Sequence, residues 1–228
     1  MQRYNRNMKK QFFEKIFSEK RMQKYFDAHP ENESLAILHY QLNIEISESF
    51  YTCLSVFEVS LRNAINRELI KKFVTEEWYN HFPTTPGLSK LNKEITQAQQ
   101  QITKRREFVT PSKVVAELTF GFWTRLFNSE FELILWKDLR RAFPFMPKII
   151  RQRKFISAPL NNFRGFRNRI FHNEPICWKL SKLAEIHNEM VTVLGWINKD
   201  IPEWIAPFDR FDDVLLKVKN QLYGIGNL

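Results

Sequence analysis

The sequence predicts an all-α protein, and three observations carry that reading. No segment alternates apolar and polar residues with period two, and no internal repeat is visible. From Asn43 to Val74 the chain has neither glycine nor proline, and Phe50, Leu54, Phe57, Leu61 and Ile65 recur at three- and four-residue spacing. Elsewhere prolines fall where helices would start or stop. The expected architecture is a multi-helix bundle. Its 228 residues fit one domain, residues 1–228, and 21 phenylalanines with six tryptophans supply one large core.

Taken in order, a first helix is expected over Lys9 to Phe26, ending before His29-Pro30 because the residue ahead of a proline leaves the helical region. Glu31 to Tyr40 leads into the long helix Asn43–Val74. The turn residues of "NHFPTTPG" (80–87) mark a surface loop, and the Gln-rich stretch Leu88–Arg106 should be helical. Thr110-Pro111 pairs an N-cap residue with proline at the first helical position, opening a helix through "SKVVAELTFGFWTRLF". Ser129 should cap "EFELILWKDLRRAF". Pro144 and Pro147 end that helix, and a short basic helix follows. Pro159 is expected near the start of the helix carrying "FRGFRNRIFHNEPI" (163–176). Lys179 to about Asn198 has the stripe Leu180, Leu183, Met190, Leu194 and Ile197, and Asp209–Tyr223 closes the fold.

Composition narrows the function. Cys53 and Cys177 are the only cysteines and stand far apart, which points away from a disulfide framework or a cysteine metal site and toward a reducing cytoplasm. Nothing approaches the ~20 apolar residues of a membrane span, so no membrane is expected. The formal charge of +10 is concentrated: Lys137 to Arg169 holds ten basic residues against one acid, a net of +9. That is the electrostatic footprint of a polyanion, nucleic acid before membrane, although a solvated basic face fits equally on composition alone. Arg140, Arg141, Arg151, Arg153, Lys154 and Arg164 are the candidate RNA-binding residues.

Two polar rows interrupt apolar helices. In "FRGFRNRIFHNEPI", Phe163, Phe166 and Ile170 share one face while Arg164, Asn168 and His172 follow at four-residue spacing on another. Arg167 lies between, well around the cylinder from His172. Pro175 places His172 in the last helical turn, where unpaired carbonyls favour positive charge. A histidine side chain ordinarily titrates near neutrality, and guanidiniums beside it can hold a phosphate. A capping role is the plainer account of the same residues. In "FEVSLRNAIN", Glu58, Arg62 and Asn66 repeat the spacing, with Asn63 beside Arg62. A local Glu58–Arg62 ion pair is the plain account, and a second wall of the same polar site the other. His29, His39, His81 and His187 lack metal-ligand spacing, and His187 reads as a core histidine.

"RNRIFHNEPI" resembles the R-x4-6-H signature of the HEPN superfamily of helical nucleotide- and RNA-handling domains. With "RMQKYF", "LNIEISESFY", "LSVFEVSLRNAI", "LTFGFW" and "LGWI" in this order, the chain resembles the Abi-like family of bacterial abortive-infection proteins, of the AbiD and AbiF type, over roughly residues 10–205. Asn66 and Asn173 stand where members of that family often carry histidine. The resemblance implies a HEPN-like bundle and a metal-independent, cofactor-free endoribonuclease in phage defence. Its catalytic set would be Arg167, Asn168 and His172, supported by Glu58, Arg62 and Asn63. Such enzymes pair two copies around a composite cleft, so a homodimer is expected, with an antitoxin, protein or small RNA, as a possible neutralising partner. The alternatives are a HEPN module that binds RNA without cutting it, or a helical protein-interaction module.

Overall fold

Ser18 sets the first departure from those expectations. It adopts φ 73°, ψ 144°, a backbone that a non-glycine residue rarely takes, and it divides the expected first helix into α1 (Lys10–Phe17) and α2 (Glu19–Ala28). The computed structural model describes residues 10–224, so the expected start at Lys9 lies outside the described residues. Every regular element among those described is helical, and none is long and apolar enough to cross a membrane.

The described chain divides into two compact units. The first comprises the residues up to Tyr51, Arg169–Glu185, and those from Asp209 onward. In it Asn32 caps α3 (Glu33–Ser49), its side chain accepting from the Leu35 N–H at 2.9 Å. Most of the helix expected over Asn43–Val74 forms a separate helix, and only Asn43–Ser49 belongs to α3, which begins ten residues before Asn43. Helix α3 stops at Phe50 rather than running on, and the hydroxyls show why. Ser47 donates to the Asn43 carbonyl (2.6 Å) and Ser49 to that of Ile46 (2.8 Å), back-bonding that bends helices. Phe13, Met22, Tyr25, Phe26, Ile37 and Tyr40 form one buried cluster where α1, α2 and α3 meet. The C-terminal α12 (Phe211–Tyr223) packs on α3, and Phe211 meets Phe50 with ring centroids 4.7 Å apart.

The second unit comprises Thr52–Asn168 and Ile186–Phe208. Its spine is α4 (Tyr51–Phe73), whose Leu54, Phe57, Leu61, Ile65 and Leu69 are all buried. The loop after it is less superficial than its turn residues suggest, because Phe82 is fully buried against Trp78, centroids 5.1 Å apart. Then come α5 (Asn92–Lys104) and α6 (Pro111–Glu117), the latter capped by Thr110 with proline first, as its sequence predicts. The helix expected to continue through "LTFGFW" breaks at Leu118, whose backbone turns extended. Thr119 caps a new helix, α7 (Phe120–Arg125), and the Trp123 indole N–H takes the Leu118 carbonyl at 3.2 Å.

Ser129 does not cap a regular helix. The stretch after it is a 3-10 turn, a π turn over Glu132–Trp136 and the single turn α8 (Lys137–Leu139). Arg153 holds its start by donating to the Phe127 carbonyl (3.0 Å) and to Glu132 (2.8 Å). The short basic helix is a 3-10 turn, Lys148–Ile150. Helix α9 (Arg153–Phe171) begins six residues before Pro159, which lies inside it. The carbonyl that this proline leaves without an N–H belongs to Phe155, which is exposed, so water can meet it. Phe163 of α9 packs edge-on against Phe57 of α4, centroids 5.1 Å apart. Helix α10 (Leu180–Ile197) carries its expected stripe inward, and a further helix, α11 (Asp200–Ile205), follows.

Candidate functional site

Helix α9 stops one residue short of the histidine. Asn173 takes φ 53°, its N–H donates to the Ile170 carbonyl (2.9 Å), and the Glu174 N–H to that of Arg169 (2.9 Å). These two bonds define a Schellman motif, with Asn173 at the left-handed position and His172 as the capping residue before it. His172 thus sits just past the last helical turn, exposed. Asparagine tolerates left-handed backbone better than most side chains, which gives the asparagine at 173 a structural reason. Arg169 and Glu174, where this motif usually has an apolar contact, form an exposed ion pair at 3.2 Å.

The loop after His172 is strapped down by side chains of α2 and α3 within the first unit. Asn43, 3% exposed, accepts from the backbone N–H of Ile176 (2.7 Å) and Cys177 (3.1 Å). Arg21 donates to the Asn173 carbonyl. His39, equally buried, places Nε2 3.1 Å from the Cys177 carbonyl and Nδ1 3.0 Å from Nε2 of His29. A carbonyl only accepts, so His39 donates from Nε2. When neutral it then accepts at Nδ1 from His29. Burial foremost, and then the neighbouring His29, hold the His39 pKa below its ordinary value, against the opposing pull of the Cys177 carbonyl. The Trp178 ring closes over His39 at 4.3 Å. Burial pushes the Cys177 thiol up to about 12, which makes it an inert core group. Lys20, Arg21 and Lys24 line a cavity of about 330 Å³ against Glu174 and Pro175 of this loop. Sequence reasoning did not bring these residues together: it weighed His29 and His39 only as metal ligands and Cys177 only as a disulfide partner or metal ligand, and it assigned no site role to Lys20, Arg21, Lys24 or Asn43. Two of them, Arg21 and Lys24, lie inside "RMQKYF", which it used only as a landmark.

In the second unit, Arg167 and Asn168 stand on α9 half-exposed and exposed. Glu58 of α4 lies 3.9 Å from Arg167. The local pair that the spacing offers is therefore not formed: Glu58 reaches across to α9, and Arg62 makes no ion pair among the described residues. The Arg62 Nε–H is buried without an acceptor among those residues, a state that costs ~1–3 kcal/mol for a buried donor. Asn66 accepts the Trp78 indole N–H at 2.7 Å. That fixes its amide and gives the asparagine at 66 a structural reason as well. Arg62, Asn63 and Asn66 face Pro111 and Ser112 across a cavity of about 270 Å³. The structure thus brings Glu58 to Arg167 and places Arg62 and Asn63 at a pocket shared with α6.

The basic residues divide in two. Arg151 donates to the Pro144 carbonyl at 2.8 Å and to that of Met146, and Arg153 is held as described above. Both therefore brace the backbone. Arg140 and Lys154 are exposed. Arg141 is exposed beside Asp138 (3.7 Å), and the stem of half-buried Arg164 runs past Gly121. The chain matches no protein-family model, no curated protein and no solved structure.

Proposed function

We propose that this protein is a metal-independent endoribonuclease of the HEPN type, an Abi-like effector of phage defence, working as a homodimer. The observation that carries the reading is the end of α9. There Arg167, with Glu58 at 3.9 Å, is followed by Asn168 and by His172 at the helix cap, the motif order that the resemblance assigns to catalysis. The ribose 2′-hydroxyl attacks its own phosphate. Its proton passes to a histidine, the 5′-oxygen leaves with a proton from an acid, and a cyclic phosphate and a 5′-hydroxyl remain. His172 of one protomer and its counterpart in the partner fill these two proton roles. Arg167 neutralises charge on the pentacoordinate phosphate, and Asn168 orients it. Lys20, Arg21 and Lys24, beside the loop that follows His172, suit neighbouring phosphates of the strand.

The test compares fold, mass and cleavage on the same preparations. His172→Ala should keep thermal stability and dimer mass nearly unchanged, since an exposed helix-end residue with only a capping role typically contributes under ~1 kcal/mol, and Arg167→Ala, at a half-exposed position, should keep the same dimer mass. Cleavage of labelled RNA in the presence of a chelator should fall by at least ~100-fold, the lower range for losing a general acid or base. Full cleavage by folded His172→Ala dimers removes the mechanism. Normal cleavage by a wild-type monomer removes the composite cleft.

A further inference from the structure

We infer that the cavity lined by Arg62, Asn63 and Asn66 is a base-recognition pocket that takes guanine from an RNA strand. The inference deepens the ribonuclease reading and rests on it for its biological sense. The cavity, about 270 Å³, has room for one nucleoside. Three observations point to a ligand. Arg62 forms no ion pair with any acid among the described residues, because Glu58, its partner by spacing one turn away, lies 3.9 Å from Arg167 instead. Asn66 is held through its Oδ1 by the Trp78 indole, so its amide N–H groups are the part left to donate. Glu76, exposed in the same lining, offers a carboxylate.

That set selects among bases. Guanine presents acceptors at O6 and N7, which a guanidinium meets in the commonest specific arginine contact, and the Asn66 amide adds a further donor. Its N1–H and N2 amino group form a paired donor edge that fits one carboxylate, here Glu76. Adenine and cytosine offer one amino group each and lack that paired edge, and uracil has no amino group. Ile70, Pro111 and Val115 supply apolar walls for a flat ring. Position supports the same reading. Arg62 is one helical turn from Glu58 on the same face of α4, and Glu58 lies on Arg167, so a base seated here belongs to a nucleotide near the phosphate that Arg167 would hold.

The experiment titrates the full-length protein with 5′-GMP, 5′-AMP, 5′-CMP and 5′-UMP by calorimetry and maps cut sites in an RNA containing every base step. GMP should bind at least tenfold more tightly than the other three. Ala116→Trp, at an exposed helical position on the pocket wall, should abolish GMP binding with little change in melting temperature. Glu76→Gln, which keeps one acceptor of two, should lower the GMP preference by about tenfold and serves should the tryptophan disturb folding. Cuts should fall beside guanine in the wild type and lose that preference in Ala116→Trp while cleavage continues. Equal affinity for all four nucleotides, no binding of any, or GMP binding untouched by both substitutions overturns the pocket. Selective GMP binding by a protein that cuts no RNA supports the pocket and overturns the ribonuclease reading.

Discussion

His39 is the residue whose placement has the most consequences for its surroundings. It is buried, donates to the Cys177 carbonyl and faces His29 at 3.0 Å. Its pKa is lowered in the folded protein, so the unfolded chain binds the extra proton first. Stability from this group is fully present above the ordinary histidine value of ~6.5 and is lost as pH falls through the window below it. Urea unfolding at pH 7.5 and pH 5.5 should therefore show a weaker protein at the lower pH. His39→Gln should flatten that difference while costing about 1–3 kcal/mol at pH 7.5, the range for disrupting a buried hydrogen-bonded group. An unchanged pH dependence in the variant would remove His39 as its source. This network was hidden in the sequence because His29 and His39 are ten residues apart and the Cys177 carbonyl that His39 bonds is 138 residues from it. Spacing rules see neighbours along one helix, not groups brought together by packing. The spacing of Arg164, Asn168 and His172 was legible because they stand within a few turns of one another, on α9 and the residue that caps it.

The helices were easier to read than their ends. The apolar stripes of α4 and α10 and the Thr110-Pro111 cap of α6 follow from local periodicity and capping chemistry, which act within a few residues. The breaks depended on weaker signals. Two serines back-bond at the end of α3, Thr119 caps a helix in the middle of an apolar run, and Ser18 bears a strained backbone. Ser18 gives the sharpest test at this scale. Its φ of 73° suits glycine, so Ser18→Gly should leave helicity unchanged and raise stability by about 0.5–1 kcal/mol. A loss of stability in equilibrium denaturation would mean that the serine side chain contributes more than the backbone strain costs.

At the scale of the whole chain, the net charge of +10 favours a polyanionic partner, but the structure distinguishes basic residues that can reach one from those that brace the fold. Replacing exposed Arg140 and Lys154 together by Ala should weaken RNA binding and reduce the slope of log affinity against log salt by roughly 1.4, about 0.7 for each lost contact to a single strand. Arg153→Ala should behave in the opposite way. Its side chain is only 17% exposed and serves Glu132 and the Phe127 carbonyl, so stability should fall by about 1–3 kcal/mol while the salt slope of the folded protein stays put. Filter binding across a potassium chloride series, with denaturation curves on the same samples, separates the two groups. Equal slopes for wild type and the Arg140/Lys154 variant would leave that segment a solvated face.

What the sequence determined by itself is the all-helical class, the main apolar stripes, the concentration of positive charge and the polar row at the end of α9, since each depends on residues within a few turns of one another. Tertiary structure alone decided which of the polar groups meet. It set Glu58 on Arg167 rather than on Arg62, fixed Asn66 on Trp78, committed Arg151 and Arg153 to backbone carbonyls, and strapped the loop after His172 to Asn43, His39 and Arg21. The physical reason is that a polar side chain taken from water must find a partner, and the available partners are set by the packing of apolar faces, not by distance along the chain.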